Sequence, residues 1–331
     1  SLIESCVTKE PVNLPSGPVQ FESRIRGNQN SKYVIGIDPA SEHDNFAIVI
    51  LEVHPDHRRV VYTWTVNRKK MQKRLKDQNQ DVDKSFYNYC ARKIRELSIL
   101  FPTEHIGIDG QGGGIAIMEA LHERNELKTG ELPIWSYIRK GQSDPFFWEA
   151  ENKGEDGEPG LHIMHVVQFR NADFTVFANH GLRKDMEDKT ILFPTFDSLS
   201  LSLAYEEDQR IGREYDTLED CVSEIEELKH ELTLINHTQT VGGTDKWDTP
   251  EVGVPGSQKK KGRLRKDRYT ALCIANAVGR LINVSAQKVD YSVHGGFVGQ
   301  KFKNKTGRMY TGPEHIVSQM SGGYGMGVYR K

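Results

Sequence analysis

The sequence has 331 residues, with 44 Lys and Arg against 46 Asp and Glu and a formal net charge of −2. A chain of this length can bury a large core without a disulfide or a structural metal ion. Its four cysteines are far apart and form no CxxC pair, which excludes a zinc ribbon and argues against a disulfide framework. No apolar run approaches the roughly 18 residues of a membrane-spanning helix, and we expect no membrane partner.

The chain is expected to begin with a connecting segment and continue into a three-stranded meander. Residues 1–31 mix Pro, Gly, Ser and Asn with little periodicity and are predicted to be a linker. Apolar or alternating runs predict strands at residues 33–38, 46–53 and 59–66. The short turns between these runs favour antiparallel pairing.

A helix and a further strand are predicted after the meander. Apolar residues at three- and four-residue steps predict a helix over residues 86–101. Residues 105–109 predict a fourth strand, which a glycine-rich turn follows, and residues 115–124 and 133–138 predict a helix and a fifth strand. This order of elements predicts an α/β fold with a mixed β-sheet flanked by helices.

The second half of the sequence predicts mostly helices, with insertions. Residues 144–160 are polar and read as a surface insertion, and residues 190–193 predict a short strand. Helical patterns cover residues 165–182, 196–205, 221–235 and 267–285. We therefore predict one domain over residues 32–288, followed by a Gly-rich basic tail over residues 289–331.

Two predicted strands end in the same four residues, Ile-Gly-Ile-Asp, at Asp38 and Asp109. If these strands are adjacent and parallel, both carboxylates project from the same edge of the sheet, where α/β proteins gather reactive groups. Asp267 opens a predicted helix and Asp44 lies in the turn after the first strand, so both are further candidates. Each of the four acids also has a purely structural reading, as a turn former or a helix N-cap.

Carboxylates gathered in one cleft raise one another's pKa unless a cation neutralises them. Because every candidate ligand is a hard oxygen, with no Cys and no evident His partner, the cluster favours Mg²⁺ or Mn²⁺ over Zn²⁺. Two such ions form the usual clamp for in-line displacement at a phosphate.

Three segments resemble the nuclease domain of the large terminases of tailed phages. Gly-Ile-Asp-Pro-Ala at residues 36–40, with residues 44–48, resembles the first strand pair of that domain. Ile-Asp-Gly-x-Gly-Gly at residues 108–113 resembles its second acidic strand, and residues 265–272 resemble its last acidic motif. The matches come in family order and cover roughly residues 30–285.

The resemblance implies a ribonuclease-H-like fold and an endonuclease that cuts concatemeric double-stranded DNA with two divalent ions, Mg²⁺ or Mn²⁺. It implies that Asp38 is the ligand shared by both ions, that Asp109 and Asp267 complete the site, and that Asp44 is auxiliary. Some family members have two adjacent acids at the last motif, whereas basic residues flank Asp267 here. The second ion therefore stays an open expectation.

The same resemblance implies partners and a cellular location. Large terminases carry an ATPase domain before the nuclease, and this sequence has no GxxxxGK[ST] phosphate-binding loop and begins with Ser rather than Met. We expect a chain that begins after such a domain, with residues 1–31 as the linker. The expected partners are the ATPase domain, the portal and the small terminase subunit, in the cytoplasm of an infected bacterium.

Two basic segments are candidates for contacts with DNA phosphates. Residues 68–76 contain six Lys and Arg, and residues 259–268 contain seven. Lys and Arg contacts to phosphate give an affinity that is independent of base sequence and falls with salt. The predicted DNA contacts are Lys259, Lys260, Lys261, Arg263, Arg265, Lys266 and Arg268.

Two other functions stay open at this point. One is an ATP-binding fold of the actin and hexokinase type, whose first strand also ends in Asp. That fold continues with a glycine-containing phosphate turn, whereas Pro39 and Ala40 follow Asp38 here. The other is a non-catalytic DNA- or portal-binding module in which the acids are structural.

Overall fold

A computed structural model describes most of the chain up to residue 286 and two short pieces after it. None of the helices in this part of the chain combines the length and the apolarity that a membrane span requires. Asp44, Lys259, Lys260, most of the predicted insertion and most of the predicted tail lie outside the described residues. The described residues are 1–11, 19–21, 25–39, 45–82, 85–137, 159–240, 243, 245–253, 261–286, 302–303 and 309–310.

The described residues form helices on both sides of one large sheet, with four small hairpins beside it. The helices are α1 Leu2–Ser5, α2 Arg68–Asp77, α3 Phe86–Leu100, α4 Gly114–His122, α5 Ala172–Glu187, α6 Ser198–Ile211, α7 Leu218–Leu234 and α8 Asp267–Ala286. The strands are β1 Val7–Pro11, β2 Val19–Phe21, β3 Ile25–Gly27, β4 Lys32–Asp38, β5 Phe46–Val53, β6 Arg58–Val66, β7 Thr103–Asp109, β8 Ile134–Ser136, β9 Leu161–Val167, β10 Ile191–Thr195, β11 Asn236–Gln239, β12 Asp245–Asp248, β13 Glu251–Gly253, β14 Lys261–Arg263, β15 Phe302–Lys303 and β16 Met309–Tyr310.

The large sheet has eight strands in the order β1-β10-β6-β5-β4-β7-β9-β8. β4, β5 and β6 form the predicted antiparallel meander, and β7, β9 and β8 continue from β4 in parallel. The predicted α/β fold with a mixed sheet flanked by helices is therefore confirmed. Its five central strands follow the order β6-β5-β4-β7-β9.

The repeated Ile-Gly-Ile-Asp sequences of β4 and β7 lie side by side. Gly36 is paired with Gly107, and the isoleucines around them are paired with one another and fully buried. Because side chains alternate along a strand, each glycine shares a face with the aspartate that ends its strand. β4 and β7 thus place two adjacent glycines, which have no side chains, on the face of the sheet that also carries the two aspartates.

Helix α8 packs directly on Gly36 and Gly107. A Cβ atom at Gly36 would lie 2.2 Å from the carbonyl oxygen of Ala271, and one at Gly107 would lie 2.5 Å from Cγ2 of Ile274. Any side chain larger than hydrogen would push the helix away from the sheet. The close approach, rather than an unusual backbone angle, is what requires glycine at both positions.

A buried polar network fixes α8 against α5 and β6. Asn276 is fully buried, accepts a hydrogen bond from Arg58 Nε at 2.8 Å and donates one to Asp185 Oδ2 at 2.7 Å. Arg58 and Arg280 also form ion pairs with Asp185, at 2.8 and 3.0 Å. Although burial acts in the opposite direction, these two arginines lower the pKa of Asp185. The charge is thus compensated inside the core, as a buried ion requires.

The structure corrects the prediction for residues 165–182, which are not one helix. Residues 161–167 form strand β9 between β7 and β8, and α5 begins only at Ala172. The side chain of Asn171 caps this helix by accepting hydrogen bonds from the backbone N–H groups of Asp173 and Phe174. A strand in the parallel part of a sheet reads as a continuous apolar run, which sequence periodicity does not separate from a helix.

Part of the segment predicted to be a linker belongs to the sheet. β1 pairs in parallel with β10, and the backbone N–H of Phe193 donates to the carbonyl of Cys6 at 2.8 Å. Cys6 is fully buried in the core. The connection of residues 1–31 to another domain stays a prediction, but residues 7–11 form the edge of this domain.

We expect Gly36→Ala to lower the free energy of unfolding by about 2 kcal/mol or more, because the added methyl group overlaps the backbone of α8. Urea denaturation of the full chain measures this. Gly181→Ala is the comparison variant, because its Cβ would lie 3.3 Å from the side chain of Arg280 rather than against a backbone atom, so we expect a smaller loss of stability. A variant at Gly36 as stable as the wild type would contradict the close packing of α8.

Candidate functional site

Asp38 and Asp109 end adjacent strands at the carboxyl edge of the sheet, and Asp267 lies near enough to Asp38 for its charge to raise the pKa of that carboxyl. The pairing of Ile37 with Ile108 places Asp38 and Asp109 next to each other at the ends of β4 and β7. Asp267 begins α8, one helical turn before the residue that packs on Gly36. The helix therefore runs back along the strands and delivers its first residue to the two strand-end carboxylates.

The charges of Asp267 and Asp109 act on Asp38. Burial raises the pKa of Asp38 well above its ordinary range, and the neighbouring charges of Asp267 and Asp109 raise it further. Lys266 and a hydrogen bond from Thr270 oppose this rise. Burial and these like charges therefore disfavour the ionised form of Asp38, an effect that a bound cation would relieve.

Asp109 is held by the turn that follows it. Burial raises its pKa to about 6, against the opposing effects of the Gln111 N–H group and of Arg170. The Gln111 N–H group donates to Asp109 Oδ1 at 3.0 Å. The turn folds back so tightly that a Cβ atom at Gly114 would lie 2.0 Å from the carbonyl oxygen of Asp109. The glycines after this acid thus shape its surroundings.

The donor set fits a hard divalent cation. The three carboxylates offer only oxygen atoms, and their mutual repulsion is what a bound cation relieves. Asp267 also lies in the first turn of the 20-residue helix α8, where the helix dipole favours negative charge. Asp38, Asp109 and Asp267 could therefore hold Mg²⁺ or Mn²⁺.

Two of the predicted basic residues lie at the edge of this cluster. Arg265 is exposed to solvent. Lys266 Nζ donates to the carbonyl of Trp247 at 2.9 Å and lies 3.4 Å from Asp248 Oδ1, while its charge lowers the pKa of Asp38. Lys261 and Arg263 belong to β14, which pairs with β13.

Arg268 is placed differently from the prediction that it contacts DNA. Its side chain is only 10% exposed and donates to Glu224 at 2.8 Å and to Glu231 at 2.7 Å. Successive residues of a helix point about 100° apart, so Arg268 faces α7 although Asp267 faces the sheet edge. The structure thus assigns Arg268 to the packing of α8 against α7.

The sequence prediction missed Arg170, which follows β9 and lowers the pKa of Asp109. Its backbone N–H donates to Gln111 Oε1 at 3.0 Å, and its Nε donates to Gln168 Oε1 at 2.6 Å. The useful signal would have been its place just after a parallel strand that ends beside β7. That strand was predicted to be helical, so the residue was not placed at the site.

No protein-family model and no curated protein sequence matches this chain. Several solved structures are similar to it. The large terminase nuclease from thermophilic phage G20c is 12% identical with a TM-score of 0.44, and the alignment covers 83% of this chain and 95% of that one. The nuclease domain of the Thermus phage P74-26 large terminase is 10% identical with a TM-score of 0.43, covering 83% and 92%.

The similar structures also include metal complexes and a longer chain. The G20c nuclease has been solved with bound magnesium, with bound cobalt and with bound zinc. The large terminase of bacteriophage HK97 is 13% identical with a TM-score of 0.39, and the alignment covers 77% of this chain but only 41% of that one. Each of these similar structures is a phage large terminase or its nuclease domain.

Proposed function

We propose that this chain is a metal-dependent DNA endonuclease, the nuclease part of a large terminase that cuts concatemeric viral DNA during packaging. The observation that carries the proposal is the presence of Asp109 and Asp267 near Asp38 at one sheet edge, where burial and then the charges of these two acids raise the pKa of Asp38. An arrangement of like charges costs stability, and such strongly perturbed groups are concentrated at functional sites.

In this proposal the three carboxylates hold two Mg²⁺ or Mn²⁺ ions, with Asp38 shared between them and Asp44 as an auxiliary ligand. Such ions, when bound, supply a water of lowered pKa and stabilise the charge of the leaving 3′ oxygen during in-line displacement. In this proposal the chain's own contribution is to hold Asp109 on β7 and Asp267 on α8 near Asp38 on β4.

The cations beside the cluster have a separate role. Burial raises the pKa of both Asp38 and Asp109. Lys266 opposes this rise at Asp38 and Arg170 opposes it at Asp109, so each cation favours the ionised carboxylate that a metal needs. Arg265 is exposed next to them and is free of the buried ion pairs that hold Arg268. We assign Arg265, with the basic residues before it, to sequence-independent contacts with the phosphates of double-stranded DNA.

The wider setting follows from the same proposal. An ATPase domain would precede residues 1–31 in the full-length protein, and the portal and small terminase subunit would be its partners. The site of action would be the cytoplasm of an infected bacterium. The chain's coverage of 41% of the HK97 large terminase fits a nuclease part of a longer protein.

The wild-type chain is expected to nick or cut supercoiled plasmid in Mg²⁺ or Mn²⁺. The Asp38→Asn variant is expected to cleave the plasmid at least about a hundredfold more slowly, because it lacks the ligand that the two ions share. Gel electrophoresis of the plasmid measures the cleavage rate of both proteins. Asp188→Asn is the control, since that acid pairs with Lys184 on the exposed end of α5. Equal activity in the Asp38 variant, or an inactive wild type, would refute the nuclease; ATP binding without cleavage would favour the actin-like alternative.

Asp109→Asn is expected to raise the free energy of unfolding of the metal-free chain by about 2–3 kcal/mol at pH 8 and to change it little at pH 4. The magnitude follows from the shift in the pKa of Asp109, at about 1.4 kcal/mol per pKa unit. The sign follows from linkage: a carboxyl whose pKa rises from 3.8 to about 6 on folding contributes stability at low pH that is lost as the pH rises through 6. Urea denaturation in excess chelator measures the difference.

Excess Mg²⁺ should reverse this order at pH 8, because the wild type can bind the ion and the variant binds it more weakly. Equal stability of both proteins in chelator at pH 8 would contradict the rise in the pKa of Asp109 on burial.

Arg265→Ala is expected to weaken DNA binding uniformly across sequences and to reduce the slope of log affinity against log salt by about 0.9, the contribution of one phosphate contact. Fluorescence anisotropy with duplex DNA in excess chelator measures this without cleavage. Arg183→Ala is the control, since this exposed arginine pairs with Glu187 within α5. An unchanged salt slope would remove Arg265 from the DNA-binding surface.

A further inference from the structure

A second group of metal-ligand side chains lies outside the acidic edge. His180 belongs to α5, and His237 and Asp245 belong to the β11–β12 hairpin. Their possible ligand atoms all lie within 4.8 Å of one another. Among the residues that the structure describes, no other three His, Cys, Asp or Glu side chains are gathered in this way. The nuclease proposal makes no use of these residues.

The register of the hairpin explains how two of the ligands meet. His237 is paired with Trp247 and Asp245 with Gln239, so His237 and Asp245 are diagonal neighbours on the same face of the hairpin. His237 Nε2 and Asp245 Oδ1 are 2.9 Å apart, and Gln239 Nε2 donates to the same oxygen at 3.0 Å. The carboxylate is thus oriented by an amide beside it.

Trp247 places the third ligand. Its ring stacks on His237 with a centroid distance of 4.8 Å and meets the ring of His180 edge-on at 5.0 Å. Partial burial, together with the charges of His237 and Arg183, lowers the pKa of His180 against the opposing effect of Asp245. A lowered pKa favours the neutral imidazole, which is the form that binds metal. The tryptophan therefore holds both imidazoles against one carboxylate.

We propose that His180, His237 and Asp245 bind one Zn²⁺ ion and that this ion ties the β11–β12 hairpin to α5. Two imidazoles and a carboxylate suit Zn²⁺, whereas the oxygen-only cluster of Asp38 suits Mg²⁺ or Mn²⁺. Three protein ligands leave the fourth tetrahedral position to water. The two sites therefore differ in the metal that each selects.

The hairpin connects this zinc site with the acidic edge. Trp247, which is paired with His237 across the hairpin, is followed by Asp248. Lys266 contacts both the carbonyl of Trp247 and the carboxylate of Asp248. The hydroxyl of Thr249 donates to the carbonyl of Leu264 at 2.6 Å, which joins the same two segments again. An ion that fixes the hairpin on α5 thereby also fixes the anchor of Lys266, the cation that acts on Asp38.

The test is a titration of the metal-free full chain with Co²⁺ as a spectroscopic substitute for Zn²⁺, followed by displacement with Zn²⁺. The starting protein is Asp38→Asn, which weakens binding at the acidic edge. A tetrahedral site with nitrogen ligands gives much stronger visible absorption than an octahedral all-oxygen site. We expect one equivalent of strongly absorbing Co²⁺, which stoichiometric Zn²⁺ removes and millimolar Mg²⁺ does not.

His180→Ala and His237→Ala, each added to that background, are expected to weaken Zn²⁺ binding at least about a hundredfold. His230→Ala is the matched control, because His230 is exposed on α7 and outside the group. Circular dichroism confirms that each variant is folded, and both ligand imidazoles are exposed enough for alanine to be tolerated.

Zinc affinity unchanged by both histidine variants, or absence of the strong Co²⁺ absorption, would overturn the proposal and leave the His237–Asp245 contact as a hairpin hydrogen bond. None of these readouts depends on DNA cleavage. The zinc site and the nuclease can therefore fail separately.

Discussion

The packing of α8 directly on β4 and β7 is the constraint on which the candidate active site depends. Gly36 and Gly107 are paired in register, and each leaves room for the backbone or a side chain of α8. Only at this short distance does the first residue of α8 reach the carboxylates that end the two strands. In each Ile-Gly-Ile-Asp repeat, therefore, the isoleucines fill the core, the glycine makes room for α8, and the aspartate ends the strand at the candidate site.

The polar interactions around α8 divide into two kinds. In the middle of the helix, Asn276 joins Asp185 to two arginines, and the buried charge is compensated within the protein. At its beginning, three acids meet and are compensated only in part, by Lys266 and Arg170. The first arrangement stabilises the position of the helix, and the second leaves a demand for positive charge at one point. The protein itself thus compensates the charge of Asp185, whereas burial and neighbouring acids raise the pKa of Asp38.

Sequence reasoning predicted the elements whose residues carry their own signal. The meander, β7 and α8 were predicted because apolar runs, strand-end aspartates and helical spacing are local. The strand β9 was missed because its apolar run suits a helix as well, and Arg170 was missed with it. The burial of Arg268 depends on Glu224 and Glu231, which lie about 40 residues away in the chain, so no local pattern reports it. The glycine of Ile-Gly-Ile-Asp can be read from the sequence, but no local pattern shows that α8 packs against it.

The near-zero net charge of the chain conceals how its charges are arranged. Acids lie at the sheet edge, basic residues precede α8, and the β11–β12 hairpin contacts both α5 and Lys266. Lys266 is the group common to these regions, because its ammonium contacts the hairpin while its charge lowers the pKa of Asp38. Movement of the hairpin would shift that ammonium and with it the protonation of the acidic cluster. The protonation of the acidic cluster, and with it the affinity for a metal, therefore depends on how firmly the β11–β12 hairpin is held.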